Sequence, residues 1–277
     1  MMINRRQLLG TGAALTTLAA AGPAFAQGTR PIGLQLYTVR ELFTPDPMGT
    51  LEKVARIGYR EVEYGGGGYD KMDHAALRRT MDRLGLTSPS IHVAYETLLA
   101  DFDGVVRMAK TLGADTVVLP YMTDPYRTLP AWTKAIADFS RFGEALKKLG
   151  LDFAYHNHDF EFTLKPEGRS LFDRLVTETD PALVKIELDL FWTVVAGVDP
   201  KALIRSMPGR IYAYHVKDRT TDGKMTSVGK GVIDFADIFA LNDLAGVRHF
   251  YVENDQSPAP YLPDITTSFQ TLSRLRA

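Results

Sequence analysis

The sequence contains no cysteine among its 277 residues. Disulfide bonds are therefore excluded, and so are thiolate metal ligands and a cysteine nucleophile. A metal ion bound by this chain would have to be held by histidine, carboxylate or amide side chains. Histidine is itself scarce, at six residues, so a site that brings several of them together uses a large share of the imidazoles.

An excess of charge of one sign is also lacking, because 32 Lys and Arg residues balance 33 Asp and Glu residues to a formal net charge of −1. Proteins that bind nucleic acids usually carry a basic stripe, and none is present, so no nucleic-acid partner is expected. Low-complexity runs are lacking as well, and hydrophobic residues make up 45% of the chain. This composition predicts a globular protein with a full hydrophobic core.

The first 26 residues are typical of a bacterial export signal. The twin arginine Arg5–Arg6 precedes small and apolar residues that end in Ala-Phe-Ala at residues 24–26. This pattern predicts a cleavable twin-arginine signal over residues 1–26, a mature protein that begins near Gln27, and a periplasmic location. A membrane anchor is the alternative, but glycines, threonines and a proline make residues 8–26 only weakly apolar. No membrane association is expected after cleavage.

Short apolar segments alternate with longer amphipathic ones along the rest of the chain. In the amphipathic segments apolar residues recur at steps of three and four, and several segments end at a glycine, as helices do. The short segments are rich in Val, Ile, Tyr and Phe, which predicts strands. Eight strands are predicted, at residues 32–37, 61–65, 90–95, 115–120, 152–158, 184–190, 211–218 and 247–254.

Eight strand–helix units in about 250 residues predict an α/β fold, a (β/α)8 TIM barrel that forms a single domain over residues 30–277. The alternative is a doubly wound open sheet, which would need a glycine-rich phosphate loop after an early strand. The segment "YGGGGYD" at Tyr64–Asp70 is rich in glycine but does not match the GxGxxG pattern. We interpret it as a flexible loop over the mouth of the barrel.

Polar side chains cluster at the carboxyl ends of the predicted strands, which meet at one mouth in a barrel. Side chains two positions apart on a strand point the same way. Three such pairs are His156 with His158, Glu187 with Asp189, and His215 with Lys217. With Glu253 they supply imidazole and carboxylate groups for one divalent ion. Mn²⁺, Co²⁺, Zn²⁺ or Fe²⁺ is favoured over Mg²⁺, which prefers oxygen ligands alone.

Four segments carry a resemblance to a known family: "YHNHDFEF", "IELDLFW", "YHVKD" and "YVEND". Through them, the chain from Arg30 to Arg276 resembles the xylose isomerase-like barrel superfamily. That superfamily includes sugar isomerases and epimerases, inosose dehydratase and the endonuclease IV type. The resemblance implies a single divalent ion held by one residue from each of the last four strands, here His156, Asp189, His215 and Glu253.

Two positions depart from the pattern of the epimerases. His156 stands where many epimerases have a glutamate, which removes a carboxylate base. Trp192 stands where many relatives have a histidine, and its indole can stack on a sugar but cannot move a proton. His158 or Glu161 is therefore predicted to supply the catalytic base, with His156 as a further alternative. The sequence leaves open which of the three binds the ion and which moves the proton.

The remaining polar residues near the strand ends are assigned to the substrate. Lys217 is cationic and would repel an adjacent ion, so we expect it to hold a substrate hydroxyl or to stabilise an enolate. His92 is predicted to contact substrate rather than metal. Gln35, Tyr37 and Glu63 are predicted as further substrate contacts, with ordinary positions in the barrel interior as the alternative.

The resemblance implies a metal-dependent isomerase or epimerase that removes a proton next to the carbonyl of a keto-sugar or of a ketone derived from a polyol. The alternative is a lyase or dehydratase that eliminates a β-oxygen group from a keto-glycoside or inosose, and the two departures favour it. An exported enzyme would meet an unphosphorylated small carbohydrate. A non-catalytic sugar-binding barrel is the alternative of another class, and an endonuclease would need more histidines and a basic groove. The sequence leaves a homo-oligomer open.

Overall fold

The computed structural model describes residues 30–275, so the predicted export signal lies outside the described residues. The strands in this part of the chain are β1 Gly33–Gln35, β2 Glu61–Glu63, β3 Ser90–His92, β4 Thr116–Leu119, β5 Asp152–His156, β6 Lys185–Asp189, β7 Ile211–Val216, β8 Asp218–Arg219, β9 Met225–Thr226 and β10 His249–Val252.

Eight of these strands form one parallel sheet in the order β2-β1-β10-β7-β6-β5-β4-β3, and β8 and β9 form a separate hairpin. Isolated parallel bridges from Glu61 to Thr87 and from Tyr64 to Ile91 join the two ends of the sheet. The sheet therefore closes on itself. The predicted (β/α)8 barrel is confirmed, and the alternative of an open sheet is wrong.

Helices follow the strands around the barrel. They are α1 Arg40–Phe43, α2 Pro47–Ile57, α3 His74–Leu84, α4 Tyr95–Ala100, α5 Phe102–Leu112, α6 Leu129–Lys148, α7 Phe160–Thr163, α8 Leu171–Glu178, α9 Leu190–Val195, α10 Pro200–Ser206, α11 Phe235–Phe239, α12 Asn242–Ala245 and α13 Leu262–Leu275. Asp101 caps α5 by accepting a hydrogen bond from the Gly104 amide, and Gly113 ends α5 in a left-handed conformation. Within residues 30–275, no helix combines the length and the apolar character that crossing a bilayer requires.

The inside of the barrel changes from apolar to polar along its axis. A small buried cluster of Val118, Ala154, Tyr212, Ala213 and Tyr251 lies inside the sheet, apart from the large core between strands and helices. Ala154 and Ala213 precede His156 and His215 by two residues, so the alternation of side chains brings both histidines inside the barrel, nearer the carboxyl ends of the strands. The inward face therefore carries its polar groups at the end where barrel enzymes build their sites.

The strands are shorter than the sequence predicts. His158, Lys217 and Glu253 lie just past the ends of β5, β7 and β10 rather than within them. Tyr37 was predicted at the end of the first strand, but it lies in a 3-10 turn, Leu36–Val39. The side-chain oxygen of Gln35 accepts a hydrogen bond from the Tyr37 amide at 3.0 Å, which stabilises this turn instead of a longer strand.

Candidate metal centre

A cavity of about 570 Å³ opens at the carboxyl ends of the strands. Its polar lining includes His92, His156, His158, Lys217, Glu253 and Asp255. Gly65 and Gly66 of the glycine-rich segment line it as well, which agrees with the interpretation of that segment as part of the barrel mouth. The cavity therefore brings together groups from β3, from the end of β5, and from the segments after β7 and β10.

The four side chains that the resemblance implies as metal ligands lie close together and are buried. His156, Asp189, His215 and Glu253, here called the outer set, each offer one ligand atom, and these atoms all lie within 4.8 Å of one another. The Nδ1 of His215 lies 2.6 Å from the Oε2 of Glu253, and the Nε2 of His156 lies 3.6 Å from the Oδ2 of Asp189. Two imidazoles and two carboxylates in this arrangement suit a divalent transition metal.

A second group of ligand atoms overlaps with the first. His92, His156, Glu187 and His215, here called the inner set, meet the same 4.8 Å criterion. Their common neighbour is the Oε2 of Glu187, which lies 2.8 Å from His92 Nε2, 3.1 Å from His215 Nε2 and 3.2 Å from His156 Nδ1. Glu187 precedes Asp189 by two residues on β6, so the inner set lies one layer deeper in the barrel.

Unpartnered buried atoms show that the residues present fit a cation. The Nδ1 of His156 and the Oε1 of Glu187 make no hydrogen bond within residues 30–275, although both residues are almost fully buried. Buried polar atoms are nearly always satisfied, and a bound ion is one of the few ways to satisfy a lone imidazole nitrogen beside a carboxylate.

Lys217 lies next to the outer set. Its Nζ lies 2.9 Å from Asp189 Oδ2, 2.8 Å from Glu253 Oε2 and 3.0 Å from Asp255 Oδ2. Burial disfavours the charged form, but the three carboxylates outweigh it and raise the pKa of Lys217 well above its ordinary value. Lys217 therefore remains an ammonium group inside the site.

The imidazoles of the site differ in their protonation. Burial, followed by neighbouring imidazoles, lowers the pKa of His156 well below its ordinary value. Burial, followed by the charge of Lys217, does the same for His158, so both rings are neutral. For His92, burial is outweighed by Glu63 and Glu187, which raise its pKa to about 9. Metal binding at His92 would have to displace its proton.

Residues 51–252 match the sequence profile of the family described as xylose isomerase-like TIM barrel. The chain belongs to this family. This assignment agrees with the resemblance carried by the strand-end motifs.

Curated relatives of this xylose isomerase-like barrel are inosose dehydratases. The protein of Geobacillus thermodenitrificans is 30% identical over 154 residues, which cover 49% of this chain and 51% of the relative. The protein of Lactiplantibacillus plantarum is 24% identical over 252 residues, covering 77% of this chain and 82% of the relative. The chain spans about half the length of the first of these relatives.

Solved structures share the fold. A sugar phosphate isomerase/epimerase from Parabacteroides distasonis superposes with a TM-score of 0.75 at 24% identity, covering 95% of this chain and 99% of that one. The IOLI protein, solved with a zinc atom, superposes with a TM-score of 0.70 at 18% identity, covering 89% and 98%. At these identities the likeness supports the fold alone.

The candidate bases His158 and Glu161 of this xylose isomerase-like barrel lie in different places. His158 lines the cavity, and its Nδ1 makes no hydrogen bond within the described residues. Glu161 does not line the cavity: its carboxylate is buried and accepts hydrogen bonds from the Tyr155 hydroxyl at 2.7 Å and from the His158 amide at 2.8 Å. The structure therefore brings His158, and not Glu161, to the cavity: His158 lies in the three-residue segment between β5 and α7, whereas Glu161 lies in the first turn of α7 and is buried.

The predicted substrate contacts divide in the same way. His92 and Tyr37 line the cavity, whereas Gln35 and Glu63 do not. Gln35 Nε2 donates to Glu63 Oε2 at 2.8 Å, and that oxygen lies 2.7 Å from His215 Nε2. Gln35 and Glu63 therefore hold His215 of the inner set through hydrogen bonds and do not line the cavity.

Trp192 lies between two groups of the site. Its ring centroid is 5.4 Å from that of His158, and the Nζ of Lys217 lies 5.9 Å from the indole centroid. Its backbone amide also donates to Asp189 Oδ1 at 2.9 Å, so the start of α9 orients the Asp189 carboxylate.

Sequence reasoning missed two residues of the centre. Glu187 was recognised as an inward neighbour of Asp189 but was not assigned a role, and Asp255 was not considered. The signal for Asp255 is its position two residues after Glu253, which places another carboxylate at the same strand end. Asp255 completes the carboxylate shell of Lys217.

Proposed function

We propose that this chain is a divalent-metal-dependent enzyme that removes a proton from the carbon next to the carbonyl of a keto-sugar or of a ketone derived from a polyol. We further propose that the reaction continues as the elimination of a β-oxygen group. The observation that carries the proposal is the cavity, which is lined by a neutral imidazole and a buried ammonium group beside candidate ligands for a metal ion.

The outer set would hold the ion, and its two carboxylates would balance the charge. A divalent ion supplies Lewis-acid polarisation of the substrate carbonyl, which acidifies the neighbouring C–H bond. The IOLI protein, which shares the fold, was solved with a zinc atom, and this supports a transition metal in the proposal.

His158 is the base in this proposal. Its ring is neutral at physiological pH because burial and the charge of Lys217 lower its pKa. Its ring lines the cavity, where a neutral imidazole can accept a proton from a bound substrate. Glu161 holds the His158 backbone amide and positions this base rather than acting as one.

Lys217 is the acid in this proposal. In a β-elimination the α C–H bond breaks, a C=C bond forms and the β C–O bond breaks, so the departing oxygen needs a proton to leave as water or an alcohol. Asp189, Glu253 and Asp255 keep Lys217 in its ammonium form, which can donate that proton.

Two further observations support the elimination and the substrate class. The inosose dehydratases among the relatives are lyases by name, and one of them aligns over 77% of this chain. Lys217 is the sole lysine or arginine among the described residues that line the cavity, and it is already paired with carboxylates. A phosphate group would find no free cation there, which supports an unphosphorylated substrate, as the proposed periplasmic location does.

Isomerisation or epimerisation is the second candidate. It shares the proton abstraction, and it is favoured by the carboxylates of Glu253 and Asp255 in the cavity, since either could return a proton to carbon. The outcome depends on whether the β C–O bond breaks before the proton returns.

Product analysis decides between these outcomes. The metal-free protein would be incubated with inososes, keto-sugars and keto-glycosides, with and without Mn²⁺, and the products identified by NMR and mass spectrometry. The proposal predicts an unsaturated ketone together with water or a released alcohol, formed only with metal. An isomer of unchanged mass would support the second candidate, and binding without any product would favour a non-catalytic barrel.

A further inference from the structure

We propose that the barrel binds a second divalent cation, one layer below the first, through His92, His156 and Glu187. This inference goes beyond the proposed reaction, because it concerns how many ions the chain holds rather than what it does to a substrate. It rests on which nitrogen each imidazole turns toward which carboxylate.

His156 and His215 belong to both sets of ligand atoms, but their distances assign them to different ones. His156 Nδ1 is 3.2 Å from Glu187 Oε2, while its Nε2 is 3.6 Å from Asp189 Oδ2. His215 has the opposite preference, with Nδ1 at 2.6 Å from Glu253 Oε2 and Nε2 at 3.1 Å from Glu187 Oε2. His156 is therefore assigned to the ligand group of Glu187, and His215 to the ligand group of Glu253.

Six side chains then divide into two groups of three. His92, His156 and Glu187 form the inner triad, and Asp189, His215 and Glu253 form the outer triad, so the first ion keeps three of the four ligands of the outer set when the second ion takes His156. Each triad has imidazole and carboxylate ligands with positions left open, and the inner one has the two-histidine, one-carboxylate composition that binds Fe²⁺ and other transition metals. His215 Nε2 remains free to donate to Glu63 Oε2 at 2.7 Å, as ligating histidines commonly do to a carboxylate.

An unpartnered nitrogen points into the inner triad. His156 is only 2% exposed, and its Nδ1 makes no hydrogen bond within residues 30–275 although Glu187 Oε2 is 3.2 Å away. The second oxygen of Glu187 is unpartnered as well. A cation between these atoms would satisfy both, whereas a network of hydrogen bonds leaves them unsatisfied.

The charges of the centre also favour two ions. The two triads and their neighbours contain five carboxylates, from Glu63, Glu187, Asp189, Glu253 and Asp255. Among the described residues, Lys217 is the one lysine or arginine that forms an ion pair with any of them. Even with His92 protonated, one divalent ion at the outer triad leaves an excess of negative charge in a buried site, and a second divalent ion that replaces the His92 proton removes it. Uncompensated buried charge is costly, so the carboxylates favour the second ion.

Metal stoichiometry tests this inference without any substrate. Metal-free protein would be titrated with Co²⁺ by calorimetry, and the bound metal counted by mass spectrometry after dialysis. We expect two equivalents in the wild type and one in Glu187→Gln and in His92→Gln, each folded by circular dichroism. Glu61→Gln is the matched control, because Glu61 is a buried carboxylate paired with His249 outside the centre, and it should retain two equivalents.

One equivalent in the wild type would overturn the inference, and so would two equivalents that persist in Glu187→Gln. Anomalous diffraction from Co²⁺-loaded crystals gives a check that needs no variant, with two peaks expected and a single peak contradicting the proposal. Failure here is distinguishable from failure of the proposed reaction, because a one-ion protein can still catalyse the elimination and a two-ion protein can be inactive.

Discussion

The Nζ of Lys217 lies 2.9 Å from the Oδ2 of Asp189, and both side chains are buried at the base of the cavity. The ammonium group of Lys217 therefore pairs with carboxylates that are also candidate ligands of the metal ion. Lys217 neutralises part of the candidate ligand set when the ion is absent, and in the proposed reaction it is the proton donor when the ion is bound. A substitution of Lys217 should therefore affect both the stability of the protein and the proposed reaction.

Replacing Lys217 by methionine should destabilise the metal-free protein. Removal of one partner from a buried ion pair leaves uncompensated charge, which costs about 3–5 kcal/mol of unfolding free energy. Urea denaturation in the presence of a chelator measures this change. Lys134→Met is the matched control, since Lys134 makes an ion pair of the same 2.9 Å length with Asp138 but is largely exposed. The control should lose less than about 1 kcal/mol.

Added divalent metal should stabilise Lys217→Met more than the wild type, because the ion then takes over the whole charge of Asp189 and Glu253. Equal losses in Lys217→Met and Lys134→Met would contradict the role given to this lysine.

Replacing His158 by glutamine should remove the base and leave the metal ligands in place. General-base catalysis contributes about 10²–10⁴-fold, so kcat/KM should fall by that amount while the bound metal per chain is unchanged. Steady-state kinetics and metal analysis of the same preparation provide both readings. His249→Gln is the control, because His249 pairs with Glu61 outside the cavity, and its activity should stay near that of the wild type. A fall in His158→Gln that came with loss of metal would assign His158 to the metal instead.

Glu161 should make the stability of the protein depend on pH. Burial raises the pKa of Glu161 to about 8, although the Tyr155 hydroxyl and the His158 amide oppose the shift. A carboxyl whose folded pKa lies above its unfolded value binds its proton more tightly in the folded state. Its contribution is therefore complete below the unfolded pKa and is lost as pH rises toward 8, at about 1 kcal/mol per pH unit.

The test compares unfolding free energies of metal-free wild type and Glu161→Gln from about pH 5 to pH 8. The variant keeps an acceptor for Tyr155 but cannot ionise, so its curve should be flatter than that of the wild type. Glu144→Gln, at an exposed carboxylate on α6, should follow the wild-type curve. Parallel curves for all three proteins would show that Glu161 does not titrate in this range.

The barrel could be predicted from the sequence because each strand carries its own local signal. Runs such as those ending at His156 and Asp189 are short, rich in β-formers and followed by helices, so eight repeats of that pattern predict the closed sheet. The inward direction of His156, Asp189 and His215 follows from alternation along each strand.

The depth of each side chain in the barrel could not be predicted, because it depends on how the strands are staggered against one another. His156 lies opposite Glu187 in the pairing of β5 with β6, while His215 lies opposite Asp189 in the pairing of β6 with β7. A register shift at Ile186 and Glu187 changes the pairing of β6 with β7 by one residue, and no local sequence pattern predicts this shift. Glu187 therefore stayed without a role in the sequence, although it is the common neighbour of three imidazoles.

Hydrogen exchange at carbon tests the central claim of metal-dependent proton abstraction most directly. The protein would be loaded with Mn²⁺ and incubated in D₂O with inososes, keto-sugars and keto-glycosides, and deuterium would be located by NMR. We predict deuterium at the carbon next to the carbonyl of recovered substrate or of an isomerised product, and loss of the original hydrogen from that carbon in an eliminated product. Both changes should be lost on chelation and in His158→Gln. Conversion of a substrate that keeps its original hydrogen at that carbon, or exchange that persists without metal, would contradict the account.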